Sequence, residues 1–108
     1  MKKVINGKMY DTETDLAVAF YETSNNVNSR YYYSEQLHMT HDGEFYLHGT
    51  GGNFTQYATV CEGGSKISGE EIIPMTLKGA KLWVMLHYGM GLIADPRFES
   101  MIQVFRMR

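Results

Sequence analysis

Apolar and polar positions change period several times along the chain. Val4-Ile5 and Met9-Tyr10 flank Asn6-Gly7, two residues that accept the positive φ of a tight turn, so 4–10 reads as two short extended pieces around that turn. Over 12–21, Leu16 with Phe20 and Ala17 with Tyr21 fall four apart. Asp11 and Thr12 offer an N-cap, and Glu13 and Asp15 sit where a helix dipole favours negative charge, so a short amphipathic helix is predicted there. Residues 30–40 alternate and carry three consecutive tyrosines, His41-Asp42-Gly43 forms a turn, and 44–49 returns, which predicts a β-hairpin over 31–49. With a loop of two or four residues, Tyr31, Tyr33, Leu37, Met39 and Tyr46 share the face toward the core.

Glycines at 49, 51 and 52 break the hairpin, 54–60 reads as a further strand, and 62–65 as a turn. Ile67 and Ile72-Ile73 mark a loop and strand that Pro74 is expected to end. Thr76 caps a helix over 77–88, with Leu77, Ala80, Val84 and His87 on one stripe, Trp83 beside them, and Gly89 and Gly91 as the stop. A last helix starts at Asp95-Pro96, places Phe98, Met101, Ile102 and Phe105 on one stripe, and ends with Arg106 and Arg108. The fold expected is α+β, one domain over 1–108: a small antiparallel sheet of about four strands with a central hairpin, packed against two or three helices.

Composition adds constraints on location and partner. Of 108 residues 44% are hydrophobic, which suits a folded domain and not a disordered chain. Cys61 is the single cysteine, so no internal disulfide forms and a reducing, cytoplasmic setting is expected. Neither a leader-like apolar stretch nor a run near the roughly 20 apolar residues of a membrane helix occurs. The net charge of −2 is unevenly spread: residues 11–71 hold ten carboxylates against Arg30 and Lys66. An acidic face toward a partner and a simply solvated surface both accommodate that bias.

Each candidate chemistry has a structural counterpart. The glycines at 49–53 lack the closing Lys and Ser or Thr of a phosphate loop. His38, His41, His48 and Cys61 are ligand types that zinc prefers, but their spacing is not that of a zinc finger. In the expected hairpin, His38 lies beside Phe45 or Leu47 and His48 on the opposite face, which leaves only a smaller site using His41 or His48 with Cys61 and a carboxylate. Cys61 has no evident activating base, and Glu70-Glu71, adjacent in a strand, point to opposite faces, so no catalytic set assembles. Tyr31, Tyr32 and Tyr33 beside Arg30 could stack on bases, but the surrounding carboxylates would repel a phosphate backbone. Aromatics beside carboxylates suit a protein interface with a basic partner.

The opening Ile5-Asn6-Gly7-Lys8-Met9-Tyr10-Asp11-Thr12-Glu13-Thr14 resembles that of a family of short bacterial prophage and mobile-element proteins. The likeness continues through 33–37, Gly43-Glu44-Phe45-Tyr46-Leu47-His48-Gly49, Gly51-Gly52, Tyr57, Ile72-Ile73-Pro74-Met75-Thr76, Ala80 and Trp83. It departs at 77–81, basic here and acidic in that family, and at the His and Cys positions. Some small mobile-element proteins of this look are anti-CRISPR proteins directed at type II RNA-guided nucleases. The resemblance implies a non-enzymatic inhibitor in the bacterial host cytoplasm, with no cofactor. Asp11, Glu13, Asp15, Glu35 and Glu44 would be its electrostatic contacts and Tyr31, Tyr32 and Tyr33 its anchors. An accessory protein that binds some other protein, and a small zinc-stabilised domain, are the alternatives.

Overall fold

A computed structural model describes residues 1–23 and 26–89. Strands β1 (Lys2–Ile5) and β2 (Lys8–Asp11) form an antiparallel hairpin. Its two-residue turn uses Asn6 at φ 52° and Gly7 at φ 80°, the left-handed values anticipated there. Strands β3 (Leu16–Glu22), β4 (Tyr33–Met39), β5 (Phe45–Gly51) and β8 (Gly69–Met75) make one antiparallel sheet in the order β3-β4-β5-β8. Between β5 and β8 the short pair β6 (Thr59–Val60) and β7 (Lys66–Ile67) forms a small ribbon. One helix, α1 (Leu77–Tyr88), follows β8.

The helix forms where its signals placed it. Thr76 is extended, its hydroxyl accepts from Gly79 N at 3.0 Å, and Gly89, at φ 74°, donates back to Met85 O at 2.9 Å. Ala80, Trp83 and Val84 are buried against Leu37, Met39, Phe45 and Leu47 on one face of the sheet, with Leu16, Val18, Ala19, Tyr21 and Met75 around them. At the far end of α1 the Tyr88 hydroxyl bonds both backbone groups of Phe20, on the outer edge of β3. The opposite face is covered in part by the N-terminal hairpin, whose Tyr10 packs with Tyr46 and Ile72, flanked by Met1 and Ile5. The order is therefore helix, sheet, hairpin.

Five expectations are corrected. Residues 12–21 are not helical: Asp11 does accept, through its side chain, from Glu13 N at 3.0 Å and, through its carbonyl, from Asp15 N at 2.9 Å, but after that single turn the chain leaves as β3. A spacing of four is even as well as nearly one helical turn, so Leu16/Phe20 and Ala17/Tyr21 fit a strand equally well. A bulge between Ala17 and Ala19 hides the strand alternation. Of the expected two or three helices only α1 stands among the described residues, and the helix predicted from Asp95-Pro96 to Phe105 lies outside them.

The central hairpin has a three-residue loop. Thr40 N donates to Glu44 O at 2.8 Å and Gly43 N to Thr40 O at 2.9 Å, leaving His41, Asp42 and Gly43 at the tip, with Gly43 at φ 83°. An odd loop inverts the parity assumed for a loop of two or four, so Tyr46 lies opposite His38 and away from Leu37 and Met39. Residues 54–58 are turns and not strand, held by Thr55 N to Gly52 O and Ala58 N to Thr55 O. Finally, Pro74 lies within β8, which among the described residues pairs on one side only, and the strand runs on to Met75.

A buried carboxylate joins these parts. Glu35, on the helix-facing side of β4, is 8% exposed and accepts from Trp83 Nε1 at 2.9 Å and from the Tyr57 hydroxyl. Gly49 is its neighbour on β5, and a Cβ there would overlap the Tyr57 ring, while one at Gly51 would overlap Thr55. These glycines thus leave room for the 52–58 segment to lie over the strand. Burial, and then Glu35, push the Tyr57 phenol well above its ordinary pKa, so it remains a donor.

Replacing Tyr57 with Phe removes one donor from a buried carboxylate, and stability should fall by roughly 1–3 kcal/mol. Urea unfolding followed by the emission of Trp83, the single tryptophan, checks this. An unchanged midpoint would show that the clasp contributes nothing.

Candidate binding face

The face away from α1 presents three rows across the strands. Ala17, His38, Tyr46 and Pro74 form one, Phe20, Gln36, His48 and Ile72 the next, and Glu22, Ser34, Thr50 and Glu70 the third. The N-terminal hairpin covers Tyr46 and Ile72. Among the described residues nothing covers the Glu22 row and part of the middle row, with Phe20 46% exposed and Gln36, His48, Ser34 and Thr50 half-buried. Ser34 and Thr50 hydroxyls bond each other at 3.0 Å. At the two ends, Glu22 Oε2 accepts from the Tyr32 hydroxyl at 2.5 Å, and Glu70 Oε2 lies 2.9 Å from His48 Nε2. The bond to Glu22 raises the Tyr32 phenol, keeping it protonated. Val27, Tyr32, Thr50, Gly51, Gly52, Ser68, Gly69 and Glu70 line a depression of about 390 Å³ at this end of the sheet.

The three tyrosines are not brought together. Tyr31 is exposed and packs on Phe54 at a centroid distance of 5.2 Å, with the Arg30 guanidinium 5.7 Å from the same ring. Tyr32 belongs to the open face, and Tyr33 turns to the helix side between Tyr21 and Tyr57.

The carboxylates named from the sequence are also dispersed. Glu35 is internal. Asp15 accepts from the Tyr46 hydroxyl at 2.7 Å and from Asp11 N at 2.9 Å, which fixes the turn before β3. Asp11 faces Lys2 at 3.8 Å, and the Glu13 backbone N–H, foremost, holds its carboxyl below the ordinary range. Glu44 pairs with Lys8, whose ammonium is raised by that bond, and Glu13 is exposed. Glu22 follows the helix predicted over 12–21, and the row exists only once three strand registers are known, so neither Glu22 nor Glu70 stands out in the sequence.

The odd hairpin loop also changes the histidines. His38 and His48 share the outer face, contrary to the expectation, with ring centroids 6.5 Å apart, and His38 stacks on Tyr46 at 5.1 Å. Among the described residues no three His, Cys, Asp or Glu side chains converge as a metal site. His41 sits at the hairpin tip, and Cys61 is a free, half-buried thiol beside the β6–β7 turn. Glu70 and Glu71 occupy opposite faces, as alternation requires. No helix among the described residues is long and apolar enough to cross a membrane. No protein-family model, curated protein or solved structure matches the chain.

His38 carries a pH dependence. It is 1% exposed, its Nε2 meets Gln36 Oε1 at 2.8 Å, and its Nδ1 has no partner among the described residues. Burial, and secondly His48, lower its pKa from 6.5 to about 4. Below pH 6.5 the unfolded chain takes up a proton that the folded chain refuses until about pH 4, so stability is full above this window and falls as pH drops through it. The whole shift corresponds to about 3 kcal/mol. His38→Phe keeps an aromatic ring against Tyr46 and removes the titration, so unfolding measured across this window should show a shallower pH slope than the wild type. Equal slopes would mean that His38 is not held neutral.

Proposed function

We propose that the protein is a non-enzymatic inhibitor that binds a basic surface of a type II RNA-guided DNA endonuclease through the open part of its outer sheet face, blocking nucleic-acid loading or cleavage. The observation that carries the binding mode is the open Glu22–Ser34–Thr50–Glu70 row, acidic at both ends and beside exposed Phe20 and half-buried Tyr32. The target follows from the resemblance of residues 5–14 and the later matching stretches.

Physical chemistry supports the pairing. Such nucleases hold guide and target in positively charged channels, and an acidic folded surface can occupy one or obstruct its mouth. Exposed ion pairs contribute only about 0.2–1 kcal/mol each, so the two carboxylates act mainly on encounter rate and orientation. Contact area from Phe20, Tyr32 and Val27, exposed or lining the depression, supplies the rest. Since inhibition is stoichiometric, no catalytic residue is required. The partner is a protein, and neither nucleic acid nor a membrane is bound directly.

Cleavage by purified type II nucleases, with the protein added before or after guide RNA and before or after target DNA, tests this reading. Cleavage should be lost at stoichiometric protein, with an order dependence that identifies the blocked step. Glu22→Lys combined with Glu70→Lys should weaken inhibition about tenfold or more without changing the melting transition. Undiminished inhibition by that variant would exclude this face. Full cleavage across several nucleases would remove the nuclease reading and direct pull-downs toward another basic host or mobile-element protein.

A further inference from the structure

The Glu22–Glu70 row has a fixed length. Adjacent strands lie about 4.8 Å apart, so three intervals separate the two acidic Cα atoms by about 14 Å. An extended chain advances about 3.3 Å per residue and returns a side chain to the same face every second residue, so its positions i and i+4 are about 13 Å apart on one face. Resting on the binding mode proposed above, we infer that the row recognises an extended basic segment of the partner, laid across the strands, whose lysine or arginine side chains at i and i+4 meet Glu70 and Glu22.

Three features favour this occupant. Each terminal carboxylate is oriented through one oxygen, Glu22 Oε2 by Tyr32 and Glu70 Oε2 by His48, so its Oε1 is placed for a further donor. The Ser34 and Thr50 hydroxyls between them retain hydrogen-bonding capacity beyond their mutual bond at 3.0 Å. An extended segment carries free N–H and C=O groups between its cations for those hydroxyls, whereas a helix uses its backbone groups internally. Arg30 and Lys66 line an adjoining depression with Val27, Gly52 and Ser68. Their charge bars a basic segment from that direction and keeps it on the row.

The test uses the full chain labelled with ¹⁵N and three capped heptapeptides of glycine and serine. One carries two arginines at i and i+4, one carries them at i and i+2, and one replaces the arginines of the first with glutamates. Amide shifts should be confined to the neighbourhood of Glu22, Tyr32, Ser34, Thr50 and Glu70. The i,i+4 peptide should bind about 3- to 5-fold more tightly than the i,i+2 peptide, the range one exposed ion pair allows. Glu22→Gln or Glu70→Gln, each with a wild-type-like amide spectrum, should abolish that preference. Equal binding of the two basic peptides, equal binding of the acidic one, or shifts elsewhere would overturn the inference. No nuclease is present in the titration, so failure here removes this recognition element and leaves inhibition standing, while a nuclease that is not inhibited leaves the peptide result intact.

Discussion

A carboxylate taken out of water must be given donors, and Glu35 obtains them from two distant parts of the chain. Tyr57 lies 22 residues away and Trp83 lies 48 away, yet both converge on it. Leaving either oxygen bare would cost more than an ordinary surface bond contributes, so β4, the 52–58 segment and α1 must close together. Gly49 is part of the same constraint, since any side chain there would displace the Tyr57 ring. The apolar contacts of Trp83, Val84 and Ala80 supply the driving force for packing, and Glu35 determines the position along the sheet at which α1 comes to rest.

That placement separates the two faces of the sheet by task. The helix side is closed by α1 and sealed at its end by the His87 ring, 4.0 Å from Tyr21 and 4.7 Å from Trp83. The other side is only partly covered, because β1 and β2 are four residues each and reach Tyr46 and Ile72 but not the Glu22 row. Among the described residues, the extent of the open surface follows from the shortness of the N-terminal hairpin.

Local signals were legible wherever one residue type fixes one backbone state. Asn6-Gly7 marks its turn, and Thr76 with the stripe of Leu77, Ala80, Val84 and His87 marks α1, although Leu77 proves exposed and Trp83, expected beside the stripe, is buried with Ala80 and Val84. The reading failed where two periods share a spacing, as at Leu16 and Phe20, and where one residue in a loop reverses parity, as at 41–43. Glu35 is expected as a partner contact although it alternates with Tyr33, Leu37 and Met39 and so shares their core face, and its donors are not legible because their convergence is tertiary. The open row depends on three strand registers at once, so its hydroxyls and carboxylates were visible as residues but not as a surface.

The two outer strands bear on behaviour at high concentration. A sheet margin with free amides and carbonyls invites another chain to add itself, the first step toward aggregation. Here the Tyr88 hydroxyl occupies the Phe20 backbone on one margin. On the other, Pro74 interrupts the sequence of donors and Glu70 and Glu71 add like charge. A sheet guarded in this way can leave part of one face exposed without growing by a further strand, and loss of the Tyr88 hydroxyl or of Pro74 would be felt first as poor solubility.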